Sequence, residues 1–541
     1  MNGNFYGRKD ILALIKRRVA DLKEGYRQNM AVLGSQYVGK SALLRQFLSD
    51  LDDEMIVAVY LDLEGRDIDY VASKFVRSVL YRFARIKGLC PGETLQELLA
   101  AVEQFIPQTA ARAGDVFALM GKNRLSEAYD ALLAMPEVFS YETGLSCLII
   151  IDEFQVLDGL GVPDAFSRLA DRITTQKRSL YVLASSYEEA AKRILSEQLT
   201  LLFGNFEVVM VEPFDLHQSQ EFITARMGSI NIGVQLKNFL ADFTGGRPLY
   251  LDIILQELIN LASVYKQQEI YAPLIAQAVE NMVFSRWGAL SRHFELMMGR
   301  VTAGKSNRSV SDLLMLMAEG RYRVKDLQDA DASMKPAAIN QRLGYLVEED
   351  VVERNGTHFH IKDKMFRYWI KYVFQKRVQS IELEPDRLKM DFKDEILRSM
   401  SDFNATSRQD LSCRVTELLQ CFDNDQVRLK GRKYKMPAFR DVKPVKLVHS
   451  GGSQCDVLEA QTDEGTWLLV LHKDPLAESD INVVTQEMRS RGLKPRHCVI
   501  VSLSELEDGV RLRALEERMW IWNEPELNVL MSLFNKPYIV S

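Results

Sequence analysis

The feature that most constrains this chain is the run GSQYVGKS at residues 34–41, which matches G-x-x-x-x-G-K-[ST] at every fixed position. It follows a short apolar run, Met30–Leu33, and precedes the helical sequence ALLRQFL. Glycines let backbone N–H groups turn toward phosphate oxygens, and the helix N-terminus adds partial positive charge. The pattern predicts an ATP site in which Gly34 and Gly39 shape the loop, Lys40 contacts the β- and γ-phosphates, and Ser41 binds Mg²⁺.

Five strand-like runs predict the fold around this loop. The run Leu145–Ile151 is continuously apolar, which is typical of a strand buried on both faces of a sheet. Helical sequence separates the runs, and that alternation favours an α/β fold with a parallel sheet. The five predicted strands are Met30–Leu33, Ile56–Leu63, Leu145–Ile151, Ser179–Ala184 and Phe206–Val211.

Polar residues follow two of these runs. Asp152 and Glu153 come directly after Leu145–Ile151, the arrangement of a Walker B motif. In that arrangement Asp152 holds Mg²⁺ through water and Glu153 polarises the attacking water. Ser185 and Ser186 follow Ser179–Ala184, where a polar side chain could sense the γ-phosphate. The alternatives are a solvated acidic pair and an ordinary serine at the end of a strand.

The 541 residues are enough for three or four domains. We predict a P-loop core at 1–213 with a helical insertion at about 66–144, and a helical lid at 214–300. Residues 301–380 contain three short helical patterns and then two strands around Asn355-Gly356, the order of a winged helix. Residues 381–541 mix helices with strands and predict a small α/β domain.

Composition narrows the location and the partners. A net charge of −6 confines any nucleic-acid contact to a local basic patch. The six cysteines contain no C-x-x-C pair, so neither a disulfide framework nor a zinc site is indicated. The apolar runs are too short to span a bilayer, and the N-terminus lacks the apolar segment of a signal peptide. We therefore expect a cytoplasmic protein without a membrane partner.

The motifs together resemble a known family. The order of FYGRKDILAL, GSQYVGKSALL, IIIDEFQVL, LASS, VEPF and GGRPLYL is similar to that of archaeal-type ATPases near the AAA+ and STAND branches of the P-loop NTPases. The segment IKDKMFRYWIKYVF resembles the tail that follows the winged helix in that group. The resemblance implies that Phe5, Gly7 and Arg8 cup the adenine and ribose, and that Arg247 and Pro248 close on the nucleotide. Arg247 has the alternative of serving only the start of a helix.

The same resemblance implies a restriction-endonuclease-like, PD-(D/E)XK type domain at residues 381–541. Asp456 and Lys473 match that motif, but Leu471 stands where an acid should precede the lysine by two residues. Glu459 and Asp474 are nearby in the wrong register, and Glu417 could add only one carboxylate. Clustered carboxylates are needed to hold Mg²⁺. We expect a domain that does not cut nucleic acid.

The partners are left as alternatives. A homo-oligomer is expected, in which Arg168, Arg172 or Arg178 could reach a neighbouring subunit's nucleotide. No arginine finger transfers by motif, and the alternative for each of the three is a surface charge. The third helix of the winged helix offers Lys335, Asn340, Gln341 and Arg342 to DNA, but three acidic residues, 348–350, follow it. The basic run 428–446, with Tyr434 and Phe439 interleaved, suits nucleic acid or is a solvated face.

These alternatives give two main function classes. One is a DNA-associated ATPase, and the other is a nucleotide-gated scaffold that assembles an unidentified protein partner. A weaker third class is an ATPase coupled to an active nuclease. Stimulation of the ATPase by DNA and a steep salt dependence of binding favour the first class.

Overall fold

The computed structural model describes residues 5–90, 92–199, 206–303, 307–331, 334–379, 385–448, 454–472, 476–490, 492, 494–504 and 506–539. The chain divides into two compact units. The first comprises residues 1–214 with 247–249, and the second comprises residues 215–246 with 250–541.

The first unit is built on a five-stranded sheet in which every neighbouring pair is parallel. Its strands are β1 Asn29–Leu33, β2 Ile56–Asp62, β3 Ser146–Asp152, β4 Ser179–Ser185 and β5 Phe206–Met210. Their order across the sheet is β2-β3-β4-β1-β5. The predicted α/β class and parallel sheet are confirmed. Every residue of β3 and β4 is buried, as continuous apolar strands require when both faces are covered.

Helices cover the faces of this sheet. Four of them, α3 to α6, lie between β2 and β3 in the chain and carry buried aromatic side chains such as Phe83 and Phe139, which pack edge to face. The helix α3 begins where the Asp67 side chain accepts a hydrogen bond from the Tyr70 N–H. The helices are α1 Lys9–Lys23, α2 Lys40–Ser49, α3 Ile68–Ile86, α4 Leu95–Val102, α5 Pro107–Gly121, α6 Leu125–Thr143, α7 Ala165–Thr175 and α8 Glu188–Arg193.

The second unit begins with helices and one short parallel ladder. The helices are α9 Leu216–Met227, α10 Val234–Thr244, α11 Pro248–Tyr265, α12 Ala272–Val279 and α13 Ala289–Thr302. The ladder pairs β6 Asn231–Ile232 with β7 Glu269–Ile270. Asp215 and Gln218 form a reciprocal capping box that fixes the start of α9.

A helix–hairpin segment follows, at the position of the predicted winged helix. It contains α14 Asn307–Ala318, α15 Val324–Ala330, α16 Pro336–Glu348 and the antiparallel strands β8 Val352–Asn355 and β9 His358–Ile361. The helices α17 Lys364–Trp369, α18 Gln375–Gln379 and α19 Pro385–Ser407 come next. Gly356 has a φ of +64° in the turn between β8 and β9, a conformation that glycine adopts without strain.

The carboxyl-terminal part contains a hairpin and a mixed sheet. The hairpin joins β10 Asp425–Leu429 to β11 Arg432–Met436, and the sheet has the order β12-β13-β14-β15-β16. The pairs among β12, β13 and β14 are antiparallel, and β15 and β16 add parallel strands. The sheet strands are β12 Asp441–Val448, β13 Gln454–Thr462, β14 Gly465–His472, β15 His497–Ser502 and β16 Trp520–Asn523. The helices are α20 Leu411–Leu419, α21 Glu478–Ser490, α22 Asp508–Glu516 and α23 Glu524–Leu533.

None of the described helices combines the length and the apolar character that crossing a bilayer requires.

Candidate nucleotide-binding site

The glycine-rich loop lies between β1 and α2, as its sequence predicts. A Cβ on Gly34 would collide with the carbonyl oxygen of Val211, so this position accepts only glycine. Gly39 has a φ of +98° directly before α2. The loop therefore needs glycine at one end for space and at the other for backbone conformation.

Lys40 is the cation of this loop. It is 4% exposed, and its Nζ donates hydrogen bonds of 2.9 Å to the carbonyl oxygens of Gly34 and Ser35. Ser41 follows it in the first turn of α2 and is half-buried. An ammonium group and a hydroxyl are thus held at a helix N-terminus, the environment that favours bound phosphate.

Asp152 is the last residue of β3 and is buried. Its Oδ2 accepts a hydrogen bond of 2.6 Å from the Tyr60 hydroxyl, and its Oδ1 accepts one of 3.2 Å from the Glu153 N–H. Burial and the negative charge of Asp152 raise the pKa of Tyr60, so the hydroxyl remains a protonated donor. Tyr60 lies on the neighbouring strand β2 and fixes the orientation of the carboxylate.

Glu153 directly follows β3, and its carboxylate contacts a residue that follows β4. Its backbone has a φ of 55°, the left-handed region, which directs the chain out of β3. The carboxylate accepts hydrogen bonds from the Ser186 N–H at 3.1 Å, from the Ser186 hydroxyl, and from the Gln155 side chain at 2.7 Å. Three neutral donors therefore hold the acid that the sequence predicts to polarise water.

The two serines after β4 have different partners. Ser185 is fully buried, donates to Gln155 Oε1 at 2.6 Å and accepts from the Tyr187 N–H at 3.0 Å. Ser186 is the serine that contacts Glu153. The sensor role of Ser185 stays a prediction, with its contact to the acid passing through Gln155. Sequence reasoning missed the roles of Tyr60 and Gln155 and the contact of Ser186 with Glu153, because strand pairing decides which side chains meet the acids.

The amino-terminal segment packs beside the residues that follow β5. The Arg8 guanidinium donates to the Glu212 carbonyl oxygen and lies 5.0 Å from the centre of the Phe214 ring. Gly7 has a φ of +72°, and Phe5 packs against the apolar cluster under α1. Since Val211 contacts Gly34, this segment and the loop meet at one end of the sheet. Binding of adenine and ribose by Phe5, Gly7 and Arg8 stays a prediction.

Arg247 also reaches the loop. It is buried, and its Nε donates to the Gln36 carbonyl oxygen at 3.3 Å. Pro248 begins α11, a position where the missing N–H has no helical partner to lose. Arg247 therefore does more than start a helix, because its side chain touches the phosphate-binding loop itself.

The three arginines predicted as candidate arginine fingers lie away from the proposed nucleotide site of their own chain. Arg168 pairs with Asp130 on α6. Arg178 donates to the Gly144 carbonyl oxygen and immediately precedes β4, at the end of the strand opposite to Ser185. Arg172 is in the last turn of α7. None of the three joins this chain's own site, and their action on a neighbouring subunit stays a prediction.

The donors at the site fit Mg²⁺. Ser41 supplies a hydroxyl oxygen and Asp152 a carboxylate oxygen, which are the hard ligands that this ion takes. In the described ranges no group of three His, Cys, Asp or Glu side chains could hold a metal ion. Mg²⁺ usually binds one or two protein oxygens together with nucleotide phosphates and water, so a sparse donor set is the expected one.

The segment at the position of the predicted winged helix has a packed hairpin and an exposed third helix. The turn of the β8–β9 hairpin is packed against β10: Thr357 N–H donates to the Gln426 carbonyl oxygen at 3.0 Å, and Asn355 bonds both backbone groups of Arg428. This packing favours a structural role for the hairpin, and contact between this segment and DNA stays a prediction. Lys335, Asn340 and Gln341 of α16 are exposed, while Arg342 is half-buried beside Met334.

The aromatic residues of the basic run are also packed. Phe439 is buried with its ring 5.3 Å from that of Trp467, and Tyr434 lies 4.8 Å from Trp520. This packing leaves the Phe439 ring no exposed face for a base, and nucleic-acid binding by the basic run stays a prediction. Lys430, Lys435, Arg440 and Lys443 pair with carboxylates of the same unit. The side chain of Lys446 lies outside the described residues.

The carboxyl-terminal sheet places Asp456 opposite Leu471. Asp456 is exposed, and Leu471 is buried in the core. Glu459 lies opposite Leu468, and Glu417 pairs with Lys536 at 3.3 Å. Lys473 and Asp474 lie outside the described residues. At the predicted motif, the strand register therefore places the Asp456 carboxylate opposite a leucine and not opposite a second acid.

Comparisons with known proteins give distant structural similarity only. No family model matches the sequence. No curated protein matches it at a significant level. A Walker-type ATPase of Pyrococcus abyssi is 16% identical with a TM-score of 0.44, over 68% of this chain and 96% of that one. The Aeropyrum pernix ORC2 protein is 15% identical with a TM-score of 0.43, over 74% of this chain and 98% of that one. The RuvB Holliday junction branch migration motor of Thermotoga maritima is 12% identical with a TM-score of 0.34, over 68% of this chain and 96% of that one. At these values the similarity assigns no activity to this chain.

Proposed function

We propose that this chain is an Mg²⁺-dependent ATPase of the AAA+ type that uses ATP binding and slow hydrolysis to change conformation or assembly. One observation carries the proposal. A buried lysine in a G-x-x-x-x-G-K-S loop lies at the same edge of one parallel sheet as two acids, with β4 between their strands. The carboxyl ends of parallel strands are where such sheets bind ligands.

The residues divide the chemistry among them. Backbone N–H groups of the loop and the Lys40 ammonium hold the phosphates, and Ser41 and Asp152 would hold the metal ion. Bound Mg²⁺ neutralises charge on the phosphate oxygens. Glu153 accepts a proton from water as the water oxygen attacks the γ-phosphorus, and the bond to the β-phosphate oxygen breaks to give ADP and phosphate. Ser186 and Gln155 orient Glu153 for this step.

Nucleotide contacts outside the loop complete the proposed site. Arg247 is close enough to the loop to contact the bound phosphates, since its Nε donates a hydrogen bond to the Gln36 carbonyl oxygen. The segment of Phe5, Gly7 and Arg8 lies at the same end of the sheet and would hold the base and sugar. Arg8 is anchored by the Glu212 carbonyl oxygen, which fixes one wall of this subsite.

Lys40→Ala tests the proposal most directly. The variant should lose measurable ATP binding in isothermal titration calorimetry, because it removes the only side-chain cation that the motif aims at the phosphates. Lys177→Ala, an exposed lysine of the same unit, is the matched control and should bind normally. Unchanged ATP affinity in Lys40→Ala would contradict the nucleotide assignment.

Assembly is the second part of the proposal. ATP should raise the association state measured by size exclusion with light scattering. One of Arg168→Ala, Arg172→Ala and Arg178→Ala should then keep ATP binding and lose roughly 10³-fold in hydrolysis, the scale of an arginine finger. A chain that stays monomeric at every concentration with full activity would contradict shared sites.

What the switch acts on has two candidates. DNA or a DNA-bound complex is supported by the exposed polar side chains of α16. A protein scaffold without nucleic acid is favoured by the packed β8–β9 turn and the buried aromatics of the basic run. Stimulation of hydrolysis by duplex DNA, lost in Gln341→Ala and at high salt, would support the first candidate; ATP-dependent assembly that ignores DNA would support the second.

A further inference from the structure

Two cations face each other across the β10–β11 hairpin. Arg428 on β10 is directly opposite Lys433 on β11, and both side chains are exposed. Opposite residues of an antiparallel pair point to the same face with Cβ atoms about 5 Å apart, and like charges there are destabilising. Within the described ranges neither side chain has an ion-pair partner. A face that keeps this repulsion is suited to an anionic group placed between the two.

The outer edge of β11 carries unused backbone groups. On β10, Gln426 and Arg428 direct their N–H and C=O groups away from β11, since both bond residues of the β8–β9 turn. In an antiparallel ladder the residues opposite them then point their groups to the other side. Those residues are Lys435 and Lys433, and their backbone groups make no hydrogen bond within the part of the chain that the structure describes.

The hairpin that presents this edge is firmly held. Val427, Leu429 and Met436 are buried in the carboxyl-terminal core. The opposite edge of the hairpin is already occupied, because residues 355–357 of the β8–β9 turn bond along β10. Carboxylates already approach the cationic face, since Glu464 of the β13–β14 turn pairs with Lys435. The edge is therefore a rigid template with one acidic neighbour in place.

We propose that β11 binds an extended acidic peptide as an added strand. Peptide residues opposite Lys433 and Lys435 would exchange backbone hydrogen bonds with them and point to the face that carries Arg428. Acids at positions i and i+2 of the peptide meet these cations together, whereas adjacent acids point to opposite faces. Nucleic acid is the less suited ligand, because Tyr434 and Phe439 are packed and offer no stacking surface.

The test uses two labelled, end-blocked peptides of one composition and charge, titrated into the full chain by fluorescence anisotropy. In the first, Thr-Glu-Thr-Glu-Thr-Thr, the acids alternate; in the second, Thr-Glu-Glu-Thr-Thr-Thr, they are adjacent. We expect the second to bind about tenfold more weakly, because one charge-assisted hydrogen bond is lost. Equal affinities would overturn the proposal, since they would show attraction by net charge alone.

Variants of the chain separate charge from strand addition. Lys433→Gln should weaken the alternating peptide about tenfold, since it removes a charged partner but keeps the backbone N–H. Lys433→Pro also removes that N–H, which the hairpin itself does not use, and should abolish binding. Glu464→Gln frees Lys435 and should tighten binding severalfold. Equal binding by Lys433→Gln and Lys433→Pro would overturn strand addition. So would full competition by single-stranded DNA at equal concentration, which would assign the face to nucleic acid.

Discussion

Two buried aspartates show how differently this molecule treats negative charge. Asp152 at the end of β3 in the parallel sheet and Asp425 on the β10–β11 hairpin are each 1% exposed. Asp152 accepts hydrogen bonds from neutral donors, the Tyr60 hydroxyl and the Glu153 N–H. Asp425 accepts two from Arg323, at 2.8 and 2.7 Å, and lies 3.2 Å from His358 Nε2.

We take this difference to separate the proposed binding site from a structural contact. Removing a carboxylate from water is costly, and a cation at contact distance offsets most of that cost. The Arg323 guanidinium neutralises Asp425 within the fold. Asp425 therefore joins the helix–hairpin segment to the carboxyl-terminal part, and its charge is not available to a ligand. Asp152 and its neighbour Glu153 have no ion-pair partner among the described residues, so their charge stays available to a metal ion or a proton.

The largest effect is expected at Glu153. Glu153→Gln is nearly isosteric and leaves Asp152 in place, so ATP should bind with parental affinity. Hydrolysis should fall roughly 10²–10⁴-fold, the usual contribution of a positioned base. Phosphate release measured beside calorimetric ATP binding checks both parts. Parental turnover would mean that another group takes the proton from water. The difference between the acids at the end of β3 and Asp425 would then have no consequence for catalysis.

The next effect concerns stability. Asp425→Asn takes the buried carboxylate away from the half-buried Arg323, which keeps only Asp326, at 3.6 Å, as an ion-pair partner among the described residues, and should lower the free energy of unfolding by about 3 kcal/mol. Asp152→Asn is the matched control, since its neutral donors lose less when the charge is removed. Urea unfolding of both variants provides the measurement. Equal destabilisation by the two substitutions would show that Asp152 is as structural as Asp425.

Acid titration extends that prediction. Burial opposes ionisation of Asp425, but the hydrogen bonds from Arg323, together with the nearby His358 side chain, outweigh it and hold the pKa of this carboxyl below its ordinary value. A carboxyl with a lowered folded-state pKa contributes stability above the unfolded pKa, about 3.9, and loses it as the pH falls further. Parental stability should therefore decline below about pH 4, and less so in Asp425→Asn.

The smallest effect, none at all, is expected at a third carboxylate. Asp456 is exposed and lies opposite Leu471, so it lacks the second carboxylate that metal-dependent cleavage needs. Asp456→Ala should therefore change nothing in assays with supercoiled, linear and single-stranded DNA and with RNA, in Mg²⁺ and Mn²⁺, with and without ATP. Cleavage by the parental chain that disappears in Asp456→Ala would show that Asp456 holds a catalytic metal ion and that the carboxyl-terminal part is a nuclease.

Much of the first unit was predictable because its signals are local. The loop motif fixes which residues lie beside one another in the chain, and the apolar runs are long enough to identify all five strands of the parallel sheet. Asp152 and Glu153 were predictable for the same reason, since they directly follow the most apolar strand. Local patterns also indicated the hairpin turn at Asn355-Gly356, where β8 and β9 pair.

Only the tertiary structure decided which side chains meet across strands and segments. Strand order sets Tyr60 against Asp152 and Ser186 against Glu153, contacts that span 92 and 33 residues of sequence. The packing of the β8–β9 turn on β10 likewise joins residues that no local pattern relates. The sequence by itself determined the sheet, the loop and the acids, because each depends on neighbours in the chain. The partners of those acids, and hence which carboxylate keeps its charge, depend on long-range pairing that the fold alone creates.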